Sequence, residues 1–412
     1  MSSIAIPGTS LPRGQDAPDT ATRGELLNVR PQRRLLIAST VARTIGAFLL
    51  PYADYFRSTG WRVDALANGI NNCDECSPHF DEVHGIQWSR SPFNLRAIWA
   101  AIRKIRVLCE SGEYDLVHVH TPVAAFVTRL ALSGCNFRRP SVIYTAHGFH
   151  FHSRRAAWKN RIFQSLERLG GKWTDYLVTI NREDYEAALR LRLVPQERMM
   201  LMPGIGIDLS RYNPDCAAAD RIGALRRSLG IERDDVVFLA IAEMNRNKRH
   251  VDIVRAFAAM QNPDAHLVLI GDGPLSENIR LLASKLGVIS RVRFCGRQED
   301  VRPYILASRA TILASFREGL PRSSMESLAC GIPVIGSNIR GIRDLLSDGG
   351  GVLFEPGNVA ELARQMDWFA GHPAEASLMG NRGRQAMAKY DISGLIQLHE
   401  RLYATAVLGS RA

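Results

Sequence analysis

The most constraining feature of this sequence is a strict alternation of short apolar runs with longer amphipathic segments, which occurs twice along its 412 residues. Short apolar runs of this kind predict buried strands, and the segments between them predict helices. Strands that alternate with helices form parallel sheets with right-handed crossovers. We therefore expect an α/β chain with two Rossmann-like doubly wound domains that face a cleft.

The first alternation predicts strands at 34–39, 62–67, 82–88, 115–119, 141–146 and 175–180, with helices near 46–59, 94–111, 123–133, 157–170 and 181–192. The second predicts strands at 235–241, 265–270, 291–295, 310–313, 332–336 and 351–354, with helices near 249–260, 275–287, 298–307, 321–330 and 358–370. Two further helices are expected over 374–410, with no strand between them.

These patterns divide the chain into four parts, with a hinge around 200–215. Residues 1–30 are rich in Ser, Thr, Pro, Gly and Asp and are expected to be a disordered tail. The N-terminal domain is expected at 31–203 and the C-terminal domain at 204–385. The remaining segment, 386–412, is expected to be a helix that crosses back over the hinge.

Composition restricts the class of protein. With 46% hydrophobic and 23% charged residues, the chain is typical of globular proteins rather than disordered, fibrous or disulfide-scaffold chains. No apolar run reaches the length of a membrane span and no signal-peptide pattern is present, which predicts a cytoplasmic protein. The net charge of +11 is consistent with nucleic acid, an anionic membrane or phosphorylated substrates. No nucleic-acid-binding module is recognisable, so we expect no nucleic-acid partner.

The excess positive charge is concentrated in residues 138–172, which contain eight basic residues and a single acidic one. Within this region, apolar side chains fall near one helical face among basic neighbours: Trp158, Ile162, Phe163, Leu166 and Leu169. Such a helix suits a protein that lies on anionic lipid, peripherally on the inner face of the plasma membrane. The alternative is a crossover helix that buries its apolar face against the sheet.

The seven cysteines are scattered, as expected of reduced thiols in a cytosolic chain. Cys73 and Cys76, followed by His79 and His84, superficially resemble a zinc site. The ligand spacings are short and no second cysteine pair follows, which favours a variable surface loop without metal.

Ligands of doubly wound domains bind at the carboxyl ends of the strands. In the second domain, Glu318 and Glu326 follow a predicted strand, and the segment Gly319, Leu320 and Pro321 can open a helix whose N–H groups suit a diphosphate. A second loop places the basic residues Arg246 and Lys248 after another strand, where either could neutralise phosphate oxygens.

Three strand ends of the first domain direct polar residues or glycine towards the same cleft. His147 follows the strand at 141–146, His120 follows the strand at 115–119, and Gly46 lies beyond the first strand. A lone histidine at such a place is more often structural than functional. Because the three strand ends point towards one cleft, the sequence favours a functional role for these residues more than a lone histidine would.

Together, the Glu318 and Glu326 pair, the loop ending in Lys248, the turn at 271–274 and the segment Thr145-Ala-His-Gly148 resemble the retaining, nucleotide-sugar-dependent glycosyltransferases of family four, which have the GT-B fold. The resemblance extends over most of residues 33–390. Its finer motifs are similar to those of bacterial enzymes that extend lipid-linked sugars for exopolysaccharide, capsule or O-antigen.

The resemblance implies a role for each matched residue. Glu318 and His147 would contact the donor sugar as catalytic residues, Glu326 would bind the ribose, and Lys248 would hold the diphosphate with Arg246 and the helix start at 319–321. Gly46, His120 and Arg154 would contact the acceptor. Arg246 would supply the charge that many relatives have at the position of Glu243, and Gly46 stands where many relatives have a Gly-Gly pair.

The implied reaction is transfer of a sugar from a UDP-sugar to a polyprenyl-diphosphate-linked acceptor. No Asp-x-Asp motif follows a predicted strand, so no metal or other cofactor is expected. Two alternatives remain open at this point. A UDP-sugar 2-epimerase shares the architecture and would act without an acceptor. A catalytically silent assembly scaffold would be expected to lack Glu318, His147 or Lys248.

Overall fold

The chain folds into two parallel sheets flanked by helices in a computed structural model that describes residues 32–88, 94–151 and 155–409. The predicted tail at 1–30 lies outside the described residues. Within the described residues, the expected doubly wound architecture is confirmed. Among the described helices, none combines the length and the apolar character needed to cross a bilayer.

The first sheet has seven strands in the order β3-β2-β1-β4-β5-β6-β7. They are β1 (Arg34–Val41), β2 (Arg62–Asn68), β3 (Glu82–Gly85), β4 (Leu116–His120), β5 (Ser141–Ala146), β6 (Tyr176–Thr179) and β7 (Met199–Leu201). Its helices are α1 (Ala42–Phe48), α2 (Leu50–Ser58), α3 (Leu95–Gly112), α4 (Pro122–Leu132), α5 (Ala157–Gly171) and α6 (Arg182–Leu191), with 3₁₀ turns at Ile70–Asn72, Ser77–His79 and Gln196–Arg198.

The second sheet has six strands in the order β10-β9-β8-β11-β12-β13. They are β8 (Val236–Ile241), β9 (Ala265–Ile270), β10 (Val292–Phe294), β11 (Ala310–Leu313), β12 (Val334–Ser337) and β13 (Gly351–Phe354). Its helices are α7 (Ala219–Ser228), α8 (His250–Ala258), α9 (Ser276–Lys285), α10 (Arg302–Leu306), α11 (Arg322–Ala329), α12 (Ile342–Leu346), α13 (Val359–Gly371) and α14 (Pro373–Ala386), with 3₁₀ turns at Ile289–Arg291 and Met387–Tyr390.

Each sheet is covered on both faces by apolar side chains of its helices. In the first domain, α3 and α4 cover one face, and α1, α2 and the last helix, α15 (Ile392–Gly409), cover the other. Leu402 and Tyr403 of α15 are buried in this second cluster. The last helix therefore crosses back onto the N-terminal domain, as expected from the sequence.

The two chain segments that connect the domains run side by side. The Ile207 N–H donates to the Tyr390 carbonyl at 2.9 Å, and the Ile392 N–H donates to the Ile207 carbonyl at 3.0 Å. The outgoing hinge is thus paired with the returning segment, so a relative movement of the domains must bend both together.

Four features differ from the sequence-based expectation. The helix expected at 46–59 is two helices, because Pro51 lies in the first turn of α2 and starts a new helix. The short strand β7 and the helices α7 and α12 were not expected. β7 has three residues and α12 has five, which is too short for a clear hydrophobic period.

Candidate functional site

The donor side of the cleft is built where β8 and β11 end next to each other. These strands pair in parallel, so the loops after them meet at one edge of the sheet. The Phe316 N–H donates to the Asn247 carbonyl, and the Asn247 side chain donates to the Arg317 carbonyl, each at 2.9 Å. These bonds hold the two predicted loops together.

Lys248 and Glu318 form an ion pair within this site, although 70 residues separate them. Their Nζ and Oε1 atoms lie 2.7 Å apart, and both side chains are largely buried. A partly buried charge pair of this kind is screened less by water than a surface pair. The structure therefore brings together one predicted catalytic and one predicted phosphate-binding residue.

The backbone at Gly319 approaches the N-terminal domain closely. A Cβ atom on Gly319 would lie 2.0 Å from the carbonyl oxygen of His147, so a side chain here would collide with the opposite loop. Leu320 packs against Gly204, and Pro321 caps α11, which begins at Arg322. The predicted helix start thus faces the histidine loop across the cleft.

Glu326 lies on the buried face of α11 and is 7% exposed. Burial raises the pKa of its carboxyl, while Arg322 and the Tyr212 hydroxyl favour the charged form. The Arg322 Nε donates to Glu326 Oε1 at 2.9 Å, and the same guanidinium donates to the Ala47 carbonyl of α1. Sequence reasoning missed Arg322, although its i,i+4 spacing from Glu326 indicated a pair.

Arg246 is not brought into this ion pair. Its side chain is exposed, and no hydrogen bond or ion pair joins it to another residue within the described ranges. Arg317, which was not singled out from the sequence, lies near charged groups of both domains. Burial and the neighbouring guanidinium groups of Arg155 and Arg340 lower the pKa of Arg317.

The opposite wall of the cleft carries a pair of histidines. His120 Nδ1 and His147 Nε2 lie 3.0 Å apart, at the ends of the adjacent strands β4 and β5. Burial lowers the pKa of His147 to about 4 and that of His120 well below its usual range. Both rings are therefore neutral at pH 7, and one must donate the shared hydrogen bond. His120 is only 2% exposed, an environment suited to orienting His147 rather than to the acceptor contact that the resemblance implies.

The histidine pair continues into a buried polar network that reaches the C-terminal helix. His118 bonds the Tyr403 hydroxyl at 2.5 Å and the Thr145 hydroxyl at 2.7 Å. The rings of His118 and His120 have centroids 4.1 Å apart, and His399 lies beside them. The sequence signalled none of these long-range partners, because they join β4 and β5 to α15.

The remaining predicted acceptor residues have different outcomes. Gly46 lies in α1, where an added Cβ would be 3.4 Å from Cys76 Sγ, so it packs against the loop after β2. Arg154 lies outside the described residues.

The cysteine expectation needs one correction. Cys73 and Cys76 form a disulfide, so the prediction that all seven cysteines are reduced thiols is wrong for this pair. The two cysteines lie between the 3₁₀ turns Ile70–Asn72 and Ser77–His79. His79 instead contacts Asp54, and His84 lies beside Asp64 and Glu82.

The carboxylates beside His84, those of Asp64 and Glu82, are paired with an arginine side chain. Arg62 contacts Asp64 Oδ2 at 3.3 Å and Glu82 Oε1 at 2.9 Å. The Tyr114 hydroxyl also donates to Asp64 at 2.6 Å. The carboxylates are thus compensated by the protein itself.

Helix α5 leaves most of its apolar stripe exposed. Trp158 is 62% and Ile162 is 50% exposed, and Leu166 and Leu169 are also exposed. Only Phe163 of the predicted stripe packs on the core. The alternative interpretation, in which this crossover helix buries its apolar face against the sheet, is therefore wrong for four of the five residues.

Comparison with known proteins agrees with this two-domain arrangement. Residues 43–204 match the family described as "Glycosyl transferase 4-like domain", and residues 222–386 match "Glycosyl transferases group 1". EpsD of Bacillus subtilis strain 168, which carries the name of a glycosyltransferase, is 32% identical over 376 residues, covering 90% of this chain and 96% of EpsD.

An Escherichia coli relative is named UDP-Gal:alpha-D-GlcNAc-diphosphoundecaprenol alpha-1,3-galactosyltransferase. It is 27% identical over 248 residues, which cover 58% of this chain and 62% of the relative. The crystal structure of Anabaena Alr3699/HepE in complex with UDP has a TM-score of 0.74 and 17% identity, with 91% of this chain and 100% of that chain covered. The chain therefore belongs to the glycosyltransferases and has the GT-B fold.

Proposed function

We propose that this protein is a retaining glycosyltransferase of family four, which transfers a sugar from a UDP-sugar to a polyprenyl-diphosphate-linked acceptor in bacterial surface polysaccharide synthesis. The observation that carries the proposal is the Lys248–Glu318 pair, placed beside the start of α11 and facing the His147 loop. This arrangement combines a cation and free helix N–H groups at the donor side with a neutral imidazole opposite.

The donor diphosphate would bind at the Lys248 ammonium and the N-terminal end of α11, with Arg246 available at the rim. Negative charge grows on the diphosphate as the bond to the sugar breaks, and cations placed there in advance lower the barrier. Glu326 would accept hydrogen bonds from the ribose hydroxyls. Glu318 would orient both Lys248 and the donor sugar, so its carboxylate links leaving-group and sugar recognition.

The acceptor hydroxyl would attack on the face from which the diphosphate leaves, which retains the anomeric configuration. The bond from the anomeric carbon to the phosphate oxygen breaks, and a bond to the acceptor oxygen forms. The acceptor's proton passes to the departing phosphate oxygen. His147, held neutral by burial, would donate or accept a hydrogen bond at a sugar hydroxyl without adding charge.

The choice of UDP and of a lipid-linked acceptor is supported by two similar proteins. Anabaena HepE is described in complex with UDP and glucose, and the Escherichia coli relative is named for UDP-Gal and a diphosphoundecaprenol acceptor. Both features come to this chain as part of the proposal. We further propose that transfer requires no metal, because Lys248 and α11 supply the positive charge at the diphosphate.

The exposed stripe of α5 supports docking on an anionic membrane surface, where a lipid-linked acceptor resides. Trp158 and Ile162 would enter the interface, and Lys159 and Arg161 beside them would attract anionic headgroups. Docking through this helix would place the N-terminal domain at the membrane and the protein at the cytoplasmic face.

A panel of UDP-, GDP- and ADP-sugars tests the donor, with donor-dependent thermal stabilisation as the first readout. The stabilising donor is then incubated with a short-chain prenyl-diphosphate sugar, with and without EDTA. We expect a UDP-sugar to stabilise the protein and to transfer with the anomeric configuration retained, equally with EDTA.

Donor incubated without acceptor is the control for isomerase activity. Epimerised UDP-sugar in that sample would replace the transfer proposal with the epimerase alternative. An inverted product would refute retention, and loss of transfer in EDTA would refute the metal-free step.

A further inference from the structure

A buried ion pair joins the two domains beside the cleft. Arg340 lies in the loop between β12 and α12, and Asp184 lies in the first turn of α6 in the other domain. The Arg340 Nη1 donates to Asp184 Oδ1 at 2.5 Å, and their side chains are 4% and 1% exposed. Both side chains are enclosed by protein.

Both members of the pair also hold the segment that follows His147. Arg340 donates to the carbonyl oxygens of Phe149 and Phe151. Asp184 accepts from the Phe149 N–H at 3.3 Å and from the Asn181 amide at 2.7 Å. The backbone of 149–151 is thus held on both its N–H and its carbonyl groups by one interdomain pair.

The same contact fixes the histidine loop against the donor loop. Gly341, next to Arg340, approaches Gly319 so closely that an added Cβ would lie 1.7 Å from the Gly319 carbonyl oxygen. Gly319 in turn lies under the His147 carbonyl. Three loops, at 147–151, 319–321 and 340–341, therefore meet backbone to backbone, and the Arg340 guanidinium of the third loop donates to carbonyls of the first.

Each buried charge of this pair requires the other. An arginine and an aspartate are stable when buried only if each compensates the other, so separating the domains must expose both or leave a charge without its partner. The planar guanidinium donates to a carboxylate and to two carbonyls from two separate nitrogens, whereas a lysine has only one nitrogen from which to donate. Formation of this set of bonds requires the closed cleft and the ordered 149–151 segment together.

We infer that Arg340 and Asp184 are positioning residues that couple closure of the cleft to the placement of His147 over the donor site. The pair acts through the backbone of 149–151 and does not touch the donor. The inference rests on the proposed function, because its effect on kcat is measured with the substrates of the proposed transfer reaction.

The test compares Arg340→Ala with Arg343→Ala, a matched control in the same segment. Arg343 is 53% exposed and contacts Glu183 of the other domain at 3.9 Å, so it is an interdomain arginine without the buried bonds. We expect Arg340→Ala to lower kcat at least tenfold while UDP affinity changes less than threefold. Arg343→Ala should stay within twofold of the unaltered protein in both.

Guanidinium rescue and hydrogen exchange separate positioning from loss of folding. Low-millimolar guanidinium should restore part of the kcat of Arg340→Ala, and equal tetramethylammonium should not. Without any substrate, the amides of 147–151 should exchange at least tenfold faster in Arg340→Ala and in Asp184→Asn, but not in Arg343→Ala.

If Arg340→Ala does not fold, Arg340→Lys and Asp184→Asn carry the same test, with a smaller loss of kcat expected for Lys. Unchanged exchange at 147–151, or a kcat within twofold in folded variants, would overturn the inference. Absence of transfer by the unaltered protein with every donor would refute the proposed function instead, and the exchange comparison would still decide the role of Arg340.

Discussion

The two walls of the cleft hold their functional side chains by different physical means. The C-terminal domain presents charged groups in ion pairs, Lys248 with Glu318 and Arg322 with Glu326. The N-terminal domain presents neutral imidazoles, His147 and His120, whose charge is suppressed by burial. A charged wall suits a diphosphate and a neutral wall suits a sugar, which matches the proposed division of leaving-group stabilisation and sugar positioning between the two domains.

The largest expected effect comes from breaking the charged wall. Glu318→Gln and Lys248→Ala should each lower transfer by about 10²–10³-fold, because each removes a preorganised group from the site where charge develops. Steady-state transfer assays measure this loss.

The surface pair of Lys389 and Asp348 is a matched control for this prediction. Its Nζ–Oδ2 distance is 2.5 Å and both side chains are 47% exposed. Lys389→Ala should leave transfer within about twofold, since exposed ion pairs contribute little. Wild-type rates in both Glu318→Gln and Lys248→Ala would remove the assignment of the charged wall.

The buried histidines in and behind the neutral wall should make the stability of the fold sensitive to acid. The pKa of His147 and that of His399 are each lowered to about 4 by burial, from about 6.5 in an unfolded chain. Between these values the unfolded chain binds more protons than the folded one, so stability is complete above about pH 6.5 and falls as the pH drops towards 4. At pH 5.5 the loss should be about 1 kcal/mol for each such histidine.

Urea unfolding at pH 7.5 and 5.5 measures this loss, and His399→Phe should show a smaller difference between the two values. A variant that keeps the full pH dependence would show that His399 is not one of the responsible groups.

A smaller effect is expected from separating the two histidines. His120→Asn should lower kcat about tenfold with a smaller change in the donor KM, because the ring of His147 loses its orienting partner. In a double-mutant cycle with His147→Asn, the two losses should be far from additive. Additive losses would indicate that His120 acts separately, for example at the acceptor.

The smallest effect concerns the outer surface of the N-terminal domain. Trp158→Ser combined with Ile162→Ser should weaken binding to anionic vesicles several-fold and leave transfer to a soluble short-chain acceptor unchanged. Leu281→Ser is the control, because Leu281 is a 58% exposed leucine on α9 of the other domain. Vesicle flotation distinguishes the two; binding that is equal for neutral and anionic vesicles would contradict the electrostatic part of this prediction.

Most of the fold was predictable because its signal is local. All twelve predicted strands are present, since each is a short apolar run whose burial is written in consecutive residues. Of the elements that were missed, β7 and α12 are too short to show a period, and the break between α1 and α2 depends on one proline. The exposed stripe of α5 shows the limit of pattern reasoning, because amphipathicity states that a face is apolar and not what covers it.

The placement of Glu318, Lys248 and His147 at the cleft was predictable, because each of them follows a strand of a parallel sheet. The partners of those residues were not. Tyr403 lies 285 positions from His118, and Arg340 lies 156 positions from Asp184. No local pattern encodes such pairs.

The sequence by itself determined the two doubly wound domains, the strand ends that face the cleft and the identity of the groups placed there. The physical reason is that hydrophobic period and strand order fix which residues end at one edge of a sheet. Only the tertiary structure decided the protonation of the histidines, the exposure of α5 and the Arg340–Asp184 contact. These depend on which distant groups are excluded from water together, and burial is a property of the folded chain as a whole.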